Sequence, residues 1–513
     1  MTDTIAPAPK QHTVGRRVTM DSIWILAGYA VTALTGFVFW VVAARIIPPA
    51  DLGIDTAMYS IFTAAAQVAA SGIGDALLVM LPGLTRWRKP LYLVGITSAF
   101  VVAAIAGVIA GVLVVLFVQP DAPTWAVILG IALASVIWTM FVIKDPILTS
   151  LGGARLNLTM NGPVNLIKLA LIPVLVAVVG ASANPVLIAA VLPAAGALVV
   201  AYGFLIPRRM RSFVPVAGSV AEPAAGAGGA VPFVTEVATP ATVDVPVVPA
   251  GVVPPVSPVD APGATPPVVG RAHGRRSLRS DAAAARSAVP ADTAPDGRPE
   301  SPPFRRFTAF ATRMGVANGL YLGSALILPF LVTSIAGGEQ GALYALCAQI
   351  GQVVDLVVIA IGTSLATHVS TNRHLAGAIA FRTWLFVVSI VGVGVVGLIA
   401  LAPFILGLLG PFYVESGGVL ILGTLAVGSL LRTAFEVWGS MQRSLHRTKA
   451  VLVVSCVSSI LLVPASIAGI TMAGALGGAA ALAAMTLGLF AVGFTGLLRA
   501  RRAPASYFER SVA

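Results

Sequence analysis

Long apolar segments alternate with short polar connections along most of the chain. Twelve segments are long and apolar enough to cross a bilayer as helices, which takes about 20 residues each. They lie at about 22–44, 54–81, 91–118, 125–143, 161–180, 185–206, 315–335, 342–366, 378–401, 417–437, 450–469 and 473–498. The pattern predicts an all-α polytopic membrane protein with about 12 transmembrane helices.

The composition supports the same class. Hydrophobic residues make up 57% of the chain and charged residues only 10%, whereas soluble domains carry roughly a quarter charged residues. The first 20 residues contain no apolar run, so we expect the first span to direct insertion rather than a cleaved signal peptide. The net charge of +12 does not indicate nucleic acid, because in membrane proteins the distribution of Lys and Arg sets the topology.

The chain contains a weak internal repeat. Shifting the sequence by 288 residues superimposes 37–82 on 325–370 without a gap. The tripeptide Asp51-Leu52-Gly53 then falls on Glu339-Gln340-Gly341, and Ile73-Gly74 falls on Ile361-Gly362. Each copy begins a similar series of apolar segments, so the chain is predicted to consist of two homologous halves.

The predicted organisation follows from this repeat. Six-helix bundles at 22–211 and 304–499 are joined by a cytoplasmic linker at 212–303, and cytoplasmic tails occupy 1–21 and 500–513. The linker holds 17 of the 36 prolines and neither Trp nor Tyr. Such a composition cannot bury enough apolar surface to order itself, so we predict disorder with polyproline II character.

Two interpretations of the linker remain open. It is either a solvated tether between the halves or a docking segment for a cytoplasmic partner or for anionic membrane lipids. The second interpretation draws on its arginine-rich stretch at 271–286, because polybasic segments are attracted to anionic headgroups.

Basic residues indicate the orientation of the chain. Every second connection between predicted spans lies on the same side of the membrane, and one of the two resulting sets carries almost all of the basic residues. They are Arg86, Arg88, Lys89, Lys144, Arg155, Arg208, Arg209, Arg211, Arg373, Arg382, Arg443, Arg447, Lys449, Arg499, Arg501 and Arg502. The other set carries Asp121, Glu339 and Glu415, with Arg45 as its basic residue. Since cytoplasmic loops carry the Lys and Arg excess, both termini are predicted to be cytoplasmic, and the protein is predicted to lie in the plasma membrane.

A few polar residues lie inside the predicted spans, where charge is expensive and usually faces a cavity or a partner. Asp75, Lys168 and Asp355 are such charges, and Asp355 lies on a polar stripe with Gln352. Gln67 falls on Asp355 under the repeat offset. These residues either connect neighbouring helices or line a central cavity for a charged or sugar-bearing headgroup.

Two further sites have alternative interpretations. Arg432 and Glu436 are four residues apart and therefore share a helical face, as a local ion pair or as part of the cavity. Arg45 either pairs with Asp51 across the Pro48-Pro49 turn or faces the cavity and contacts a phosphate, a task that suits a planar guanidinium.

No catalytic constellation, metal-ligand spacing or phosphate-binding glycine loop occurs in the sequence. We therefore expect neither an enzyme nor a resident cofactor or metal. A coupling ion, H⁺ or Na⁺, is compatible with the intramembrane carboxylates.

Several motifs resemble the polysaccharide-flippase branch of the multidrug/oligosaccharidyl-lipid/polysaccharide exporter superfamily. They are Ala43-Ala44-Arg45-Ile46-Ile47-Pro48 with Asp51-Leu52-Gly53, Gly72-Ile73-Gly74-Asp75-Ala76 with Leu81-Pro82, Ala402-Pro403-Phe404-Ile405-Leu406, and Leu409-Gly410-Pro411-Phe412-Tyr413. The resemblance implies a MATE-like fold, with two six-helix bundles around a central cavity. It also implies alternating access, in which a polyprenyl-linked oligosaccharide changes leaflet for the synthesis of a cell-surface polysaccharide.

Two features depart from that family. The long linker is unusual, and residues 23–44 of the first helix lack the carboxylate that drug antiporters commonly use there, although Asp75 or Asp355 could replace it. The alternatives are a multidrug or small-molecule antiporter of the same fold and a non-transporting membrane scaffold for polysaccharide-synthesis enzymes.

Overall fold

The computed structural model describes residues 34–212, 302–371, 376–445 and 448–503. The predicted N-terminal tail, nearly all of the predicted linker and most of the predicted C-terminal tail lie outside these residues. The described chain is built from helices joined by short connections.

The first half contains seven helical segments. They are α1 (described from Leu34 to Ile46), α2 (Pro49–Met80), α3 (Arg88–Phe117), α4 (Thr124–Ser150), α5 (Ala154–Val179), α6 (Pro185–Val200) and α7 (Ile206–Ser212). A π-helical turn, Ala201–Leu205, joins α6 to α7.

The described part of the second half also contains seven helices. Its helices are α8 (Phe304–Leu326), α9 (Leu328–Ala336), α10 (Gly338–Thr371), α11 (Ala376–Leu409), α12 (Pro411–Glu415), α13 (Gly418–Ser444) and α14 (Thr448–Arg502). The last helix consists of two arms that meet at Ala473 and Gly474. Gly474 has a φ of 57°, a conformation that glycine adopts without the steric strain of a Cβ atom.

The predicted fold class is confirmed, since each of the twelve predicted spans falls on one helix, on consecutive helical segments or on one arm of α14. Within the described residues, nine helices are long and apolar enough to cross a membrane, and the one at Lys449–Arg502 comprises both arms of α14. The chain is a multi-pass membrane protein.

Several helices extend beyond the predicted boundaries, and two of these differences are instructive. The fourth span was expected to end at 143, with Lys144 in a polar connection, but α4 continues to Ser150 and buries Lys144 completely. The seventh span was expected from 315, but α8 begins at Phe304. Its first turns are amphipathic, with Phe307 and Ala311 buried beside exposed arginines, so a search for purely apolar segments misses them.

Contacts between connections define two ends of the bundle. At the distal end, the last turn of α1 meets the end of α11, and the start of α10 meets the kink of α14. At the proximal end, Trp87 contacts Phe304 with ring centroids 5.5 Å apart, and the guanidinium of Arg501 lies 4.5 Å from the ring of Phe381. The sequence predicts that the proximal end is cytoplasmic.

The two halves are closed against each other at the distal end. One hydrophobic core there combines Trp40 and Leu52 of the first half with Val332, Tyr344 and other residues of the second. α2 and α10 approach so closely that a Cβ atom on Gly53 would overlap the carbonyl group of Gly338. The hydroxyl of Thr333 donates to the carbonyl of Gly53 at 3.1 Å.

The proximal end has two separate cores. One comprises residues of α11, α13 and α14 in the second half. The other comprises α2, α3, α4 and α5 with the π-helical turn and α7 of the first half, together with the first turns of α8. The molecule is therefore closed distally, while its proximal cores remain distinct.

Equivalent helices of the two halves make similar capping contacts. Asp55 on α2 accepts hydrogen bonds from the backbone N–H groups of Val186 (2.5 Å) and Leu187 (3.0 Å) at the start of α6. Gln340 on α10 accepts one from the N–H of Ala475 (3.1 Å) at the start of the second arm of α14. In both halves, the first turns of the second span thus cap the last span, since a side-chain acceptor satisfies N–H groups that have no partner within the helix.

Replacing Asp55 with Ala should destabilise the protein strongly. The carboxylate is fully buried, and its loss leaves two buried N–H groups without an acceptor, at about 1–3 kcal/mol for each unsatisfied group. We expect a lower midpoint of thermal unfolding in detergent. Asp55→Asn retains one carboxamide acceptor and Gln340→Ala loses one bond, so both should be milder. Equal midpoints for Asp55→Ala and the wild type would contradict this role.

Candidate functional site

A cavity of about 450 Å³ lies between the two halves. Its walls come from α1, α2, α4 and α5 of the first half and from α8, α9, α10, α13 and α14 of the second. Its polar lining residues are Thr56, Tyr59, Ser60, Thr63, Gln67, Ser71, Asp75, Trp138, Asp145, Asn161, Asn165, Lys168, Tyr321, Ser324, Tyr344, Gln349, Gln352, Ser429, Arg432, Ser458 and Thr486. The shared distal core closes the cavity at that end.

The second helix contributes a polar stripe to the cavity. Thr56, Ser60, Thr63, Gln67 and Ser71 recur every three or four residues, which places them on one face of α2. The hydroxyls of the first three donate to carbonyls one turn earlier, at 2.9–3.0 Å. Such bonds satisfy the hydroxyls within the helix, so the stripe is polar without needing partners from other helices.

Asp75 extends this stripe toward the proximal end. It is 5% exposed, and its carboxylate accepts a hydrogen bond from the amide of Asn318 at 3.3 Å. Asn318 belongs to α8, so this contact joins the two halves of the sequence across the proximal part of the cavity.

A buried ion pair lies on α4 beside the cavity. The ammonium of Lys144 donates to Asp145 Oδ1 at 2.6 Å and to Asn161 Oδ1 at 2.8 Å. It also lies 3.8 Å from the centroid of the Phe141 ring. The amide of Asn161 donates to the second carboxylate oxygen at 3.1 Å. This network neutralises Lys144 within the protein, which explains why α4 continues through it.

The fifth helix presents Asn161, Asn165 and Lys168 to the cavity on a single face. The ammonium of Lys168 lies 4.0 Å from the ring centroid of Phe39, 5.3 Å from that of Tyr59 and 5.8 Å from that of Trp40. Among the described residues, no carboxylate lies within ion-pair distance of it. Lys168 thus gives the first half a positive charge at the cavity wall.

The second half contributes Arg432. Its Nε lies 3.7 Å from Oε1 of Glu436, which also accepts a hydrogen bond from the hydroxyl of Tyr321 at 3.1 Å. The other oxygen of Glu436 lies 3.9 Å from Nη2 of Arg443. One carboxylate is therefore shared by two guanidinium groups, and the guanidinium of Arg432 lines the cavity.

The structure brings five of the eight candidate residues to the cavity wall: Gln67, Asp75, Lys168, Gln352 and Arg432. Glu436 lies behind Arg432, consistent with the local ion pair expected from their spacing. Asp355 lies on α10, but its side chain is outside the part of the structure that is described.

Arg45 lies away from this cavity. It is exposed at the distal end, where its Nε donates to the carbonyl of Leu408 at 2.7 Å and its Nη2 donates to that of Gly407 at 2.9 Å. These carbonyls end α11 of the other half, where the helix dipole is negative. Neither the pairing with Asp51 nor the cavity position expected from the sequence describes this contact, which joins the two halves where the bundle is closed.

Sequence reasoning missed Asp145, Asn161 and Asn165 at the cavity wall. The signal was present, because Asn157, Asn161, Asn165 and Lys168 occur at intervals of three or four residues within an otherwise apolar span. Asp145 was overlooked because it adjoins Lys144, which was assigned to a polar connection.

Across the residues that the structure describes, no cluster of three or more His, Cys, Asp or Glu side chains could hold a metal ion. The two cysteines, Cys347 and Cys456, are free thiols.

No protein family model matches the sequence, and no curated protein matches it. Solved structures do match. An inward-facing multidrug resistance MATE family transporter of the MOP superfamily has a TM-score of 0.56 at 11% identity, covering 94% of this chain and 96% of that one.

The chain has a MATE-type fold. A MOP superfamily transporter from Pyrococcus furiosus matches with a TM-score of 0.55 at 14% identity, over 98% of this chain and 100% of that one. A MATE structure in the straight conformation matches with a TM-score of 0.56 at 14% identity, over 96% of both chains. The matched structures have the two-bundle arrangement of twelve helices that the repeat predicts.

Proposed function

We propose that this protein is a membrane transporter that moves a lipid-linked oligosaccharide from the inner to the outer leaflet by alternating access, and that it is not an enzyme. The polyprenyl tail stays in the hydrocarbon core while the headgroup crosses through the cavity. The synthesis of a cell-surface polysaccharide would use such a step, and the plasma membrane is the location that we expect.

The observation that carries this proposal is that two cations, one from each half, line the same cavity. Lys168 reaches the cavity from the first half and Arg432 from the second. A diphosphate that links a sugar to a lipid is anionic, and Arg and Lys are the side chains that bind phosphate oxygens most readily. The hydroxyls and amides of α2 and α5 add hydrogen-bonding groups suited to sugar hydroxyls.

The slow crossing of such a headgroup without a protein also supports this substrate class. A charged, hydroxyl-rich headgroup loses its hydration in the hydrocarbon core without gaining partners there, which makes spontaneous crossing very slow. The polar stripe of α2 runs from Thr56 near the distal end to Asp75 near the proximal end. The headgroup would therefore meet hydrogen-bonding groups along most of the thickness of the membrane.

The second candidate is a multidrug or small-molecule antiporter, favoured by the matched multidrug resistance transporter and by the carboxylates of Asp75 and Asp145 at the cavity wall. The ammonium of Lys144 lies 2.6 Å from Asp145 and neutralises its charge, so Asp145 is less suited to bind a cationic drug. The Pyrococcus furiosus transporter is described as having a reversed polarity of its binding pocket that suggests a different function. In the present protein, the cations Lys168 and Arg432 of the cavity lining likewise favour an anionic headgroup.

The coupling ion, H⁺ or Na⁺, and the partners of 212–303 remain predictions.

Depletion of the protein in its own host should cause a polyprenyl-diphosphate oligosaccharide to accumulate, because its headgroup can no longer leave the inner leaflet. Mass spectrometry of extracted lipids would identify it, and the matching surface polysaccharide should fall. Wild-type protein should restore both, whereas Arg432→Ala should not. Val393→Ala, on an exposed apolar surface, is the matched control and should restore both. An unchanged lipid pool with normal surface polysaccharide would contradict the proposal.

A further inference from the structure

Lys168 places its ammonium in a cage of three aromatic rings. The cage consists of Phe39 and Trp40 on α1 and Tyr59 on α2, with centroids 4.0, 5.8 and 5.3 Å from Nζ. Each distance is within the range of about 6 Å at which a cation is attracted to the face of a ring. A single cation is therefore surrounded by rings from two other helices.

The cage is held in place by contacts that do not involve Lys168. Phe39 and Trp40 meet edge to face at 5.2 Å, and Trp40 meets Tyr59 in the same manner at 5.8 Å. Tyr59 contacts Phe62 at 5.3 Å and Trp138 at 6.2 Å. Phe39 and Trp40 are 1% and 7% exposed. The rings are thus fixed by the packing of α1, α2 and α4, and removal of the lysine should leave them in position.

Aromatic cages of this kind recognise organic cations, quaternary ammonium groups above all. This cage opens onto the cavity, because Trp40, Tyr59 and Lys168 all belong to the cavity lining. A soluble organic cation in the cavity would therefore find the cage already occupied by the chain's own ammonium, and a second positive charge beside it would be repelled.

We propose that Lys168 is a specificity-determining residue, a tethered cation that excludes organic cations from an aromatic cage otherwise built to bind them. Its charge also remains at the cavity wall, where an anionic headgroup can meet it. This inference deepens the proposed function by stating how the cavity discriminates by charge, and the cage itself can be tested without any transport assay.

The test measures binding of tetramethylammonium to the purified full-length protein in detergent by saturation-transfer difference NMR. Lys168→Ala removes four heavy atoms from the cage and leaves room for this probe. The wild type and Lys168→Arg, which keeps a cation in place, should give only the background signal. Lys168→Ala should give a clear signal from the probe's methyl protons, and the added substitution Trp40→Ala should abolish it.

Lys168→Ser is a second variant in case Lys168→Ala does not give a monodisperse protein. The inference is overturned if folded Lys168→Ala and Lys168→Ser bind no more probe than the wild type, or if the wild type binds it equally well. It is also overturned if the signal survives Trp40→Ala, since the probe would then lie elsewhere in the cavity. Because the readout is binding, these outcomes are independent of whether the protein transports a lipid-linked oligosaccharide.

Discussion

Replacing Lys144 with Met should be among the most destabilising single changes in this protein. The lysine is fully buried, and its ammonium lies 2.6 Å from Asp145 and 2.8 Å from Asn161. Without it, no cation offsets the charge of Asp145, whose side chain is 17% exposed at the cavity wall. Removing one partner of a fully buried pair lowers the free energy of unfolding by about 3–5 kcal/mol, so the loss here should approach the lower end of that range. We expect a large fall in the thermal unfolding midpoint in detergent and in the yield of monodisperse protein.

The control for this prediction removes both charges. Lys144→Met combined with Asp145→Asn leaves a neutral carboxamide that can still bond to Asn161, so most of the lost stability should return. Two outcomes would contradict this role of the ion pair. One is a single variant as stable as the wild type, and the other is a double variant no more stable than the single one.

Adding a methyl group at Gly53 should weaken the distal closure and reduce transport strongly. The new Cβ of Gly53→Ala would overlap the backbone of Gly338, and backbone cannot move aside as a flexible side chain can. Overpacking of this kind is destabilising by about 1–3 kcal/mol. Since about 1.4 kcal/mol changes a population ratio tenfold, the ratio of distally closed to distally open molecules should fall by about one to two powers of ten.

Spin labels placed across the distal end, one on each half, would report this change as a longer inter-label distance by double electron–electron resonance. Gly53→Val should increase the effect. Gly130→Ala on α4 is the matched control, because a Cβ atom there would meet nothing within 4 Å. An unchanged distance distribution in both Gly53 variants would show that this contact does not determine the closure.

The length of the apolar segments predicted the helices, because a chain in a bilayer must satisfy its backbone hydrogen bonds within each segment. The repeat predicted two homologous halves, and the family resemblance implied that each half forms a bundle. A glycine in the repeat can mark a close contact between helices. Gly53 is an example, because its lack of a side chain permits the contact of α2 with α10. Gly341, its equivalent, leaves space that the hydroxyl of Thr333 occupies.

The candidate site was harder to predict than the fold. Polar residues within spans pointed to Gln67, Asp75, Lys168 and Arg432, which line the cavity, because a polar group in a membrane helix faces a cavity or a partner. The contact of Arg45 with the carbonyls of Leu408 and Gly407 could not be foreseen. It joins residues more than 360 positions apart, and backbone acceptors leave no signal in the sequence.

Lys144 was assigned to the wrong place for a different reason. A lysine next to an aspartate and a proline resembles a polar connection, and the burial of Lys144 depends on the amide of Asn161 and the ring of Phe141 as well as on Asp145. Those partners come from α5 and from the preceding turn of α4, so the assignment required tertiary structure.

The most direct test of the central claim is a flipping assay with purified protein in liposomes. A polyprenyl-diphosphate oligosaccharide with a fluorescent headgroup is placed in both leaflets, and an impermeant quencher reports how much of it reaches the outer surface. The account predicts that wild-type protein makes nearly all of the lipid accessible, whereas Arg432→Ala and Lys168→Ala leave the inner fraction protected. Wild-type vesicles that behave like protein-free vesicles would contradict the account, as would full activity in both cavity variants.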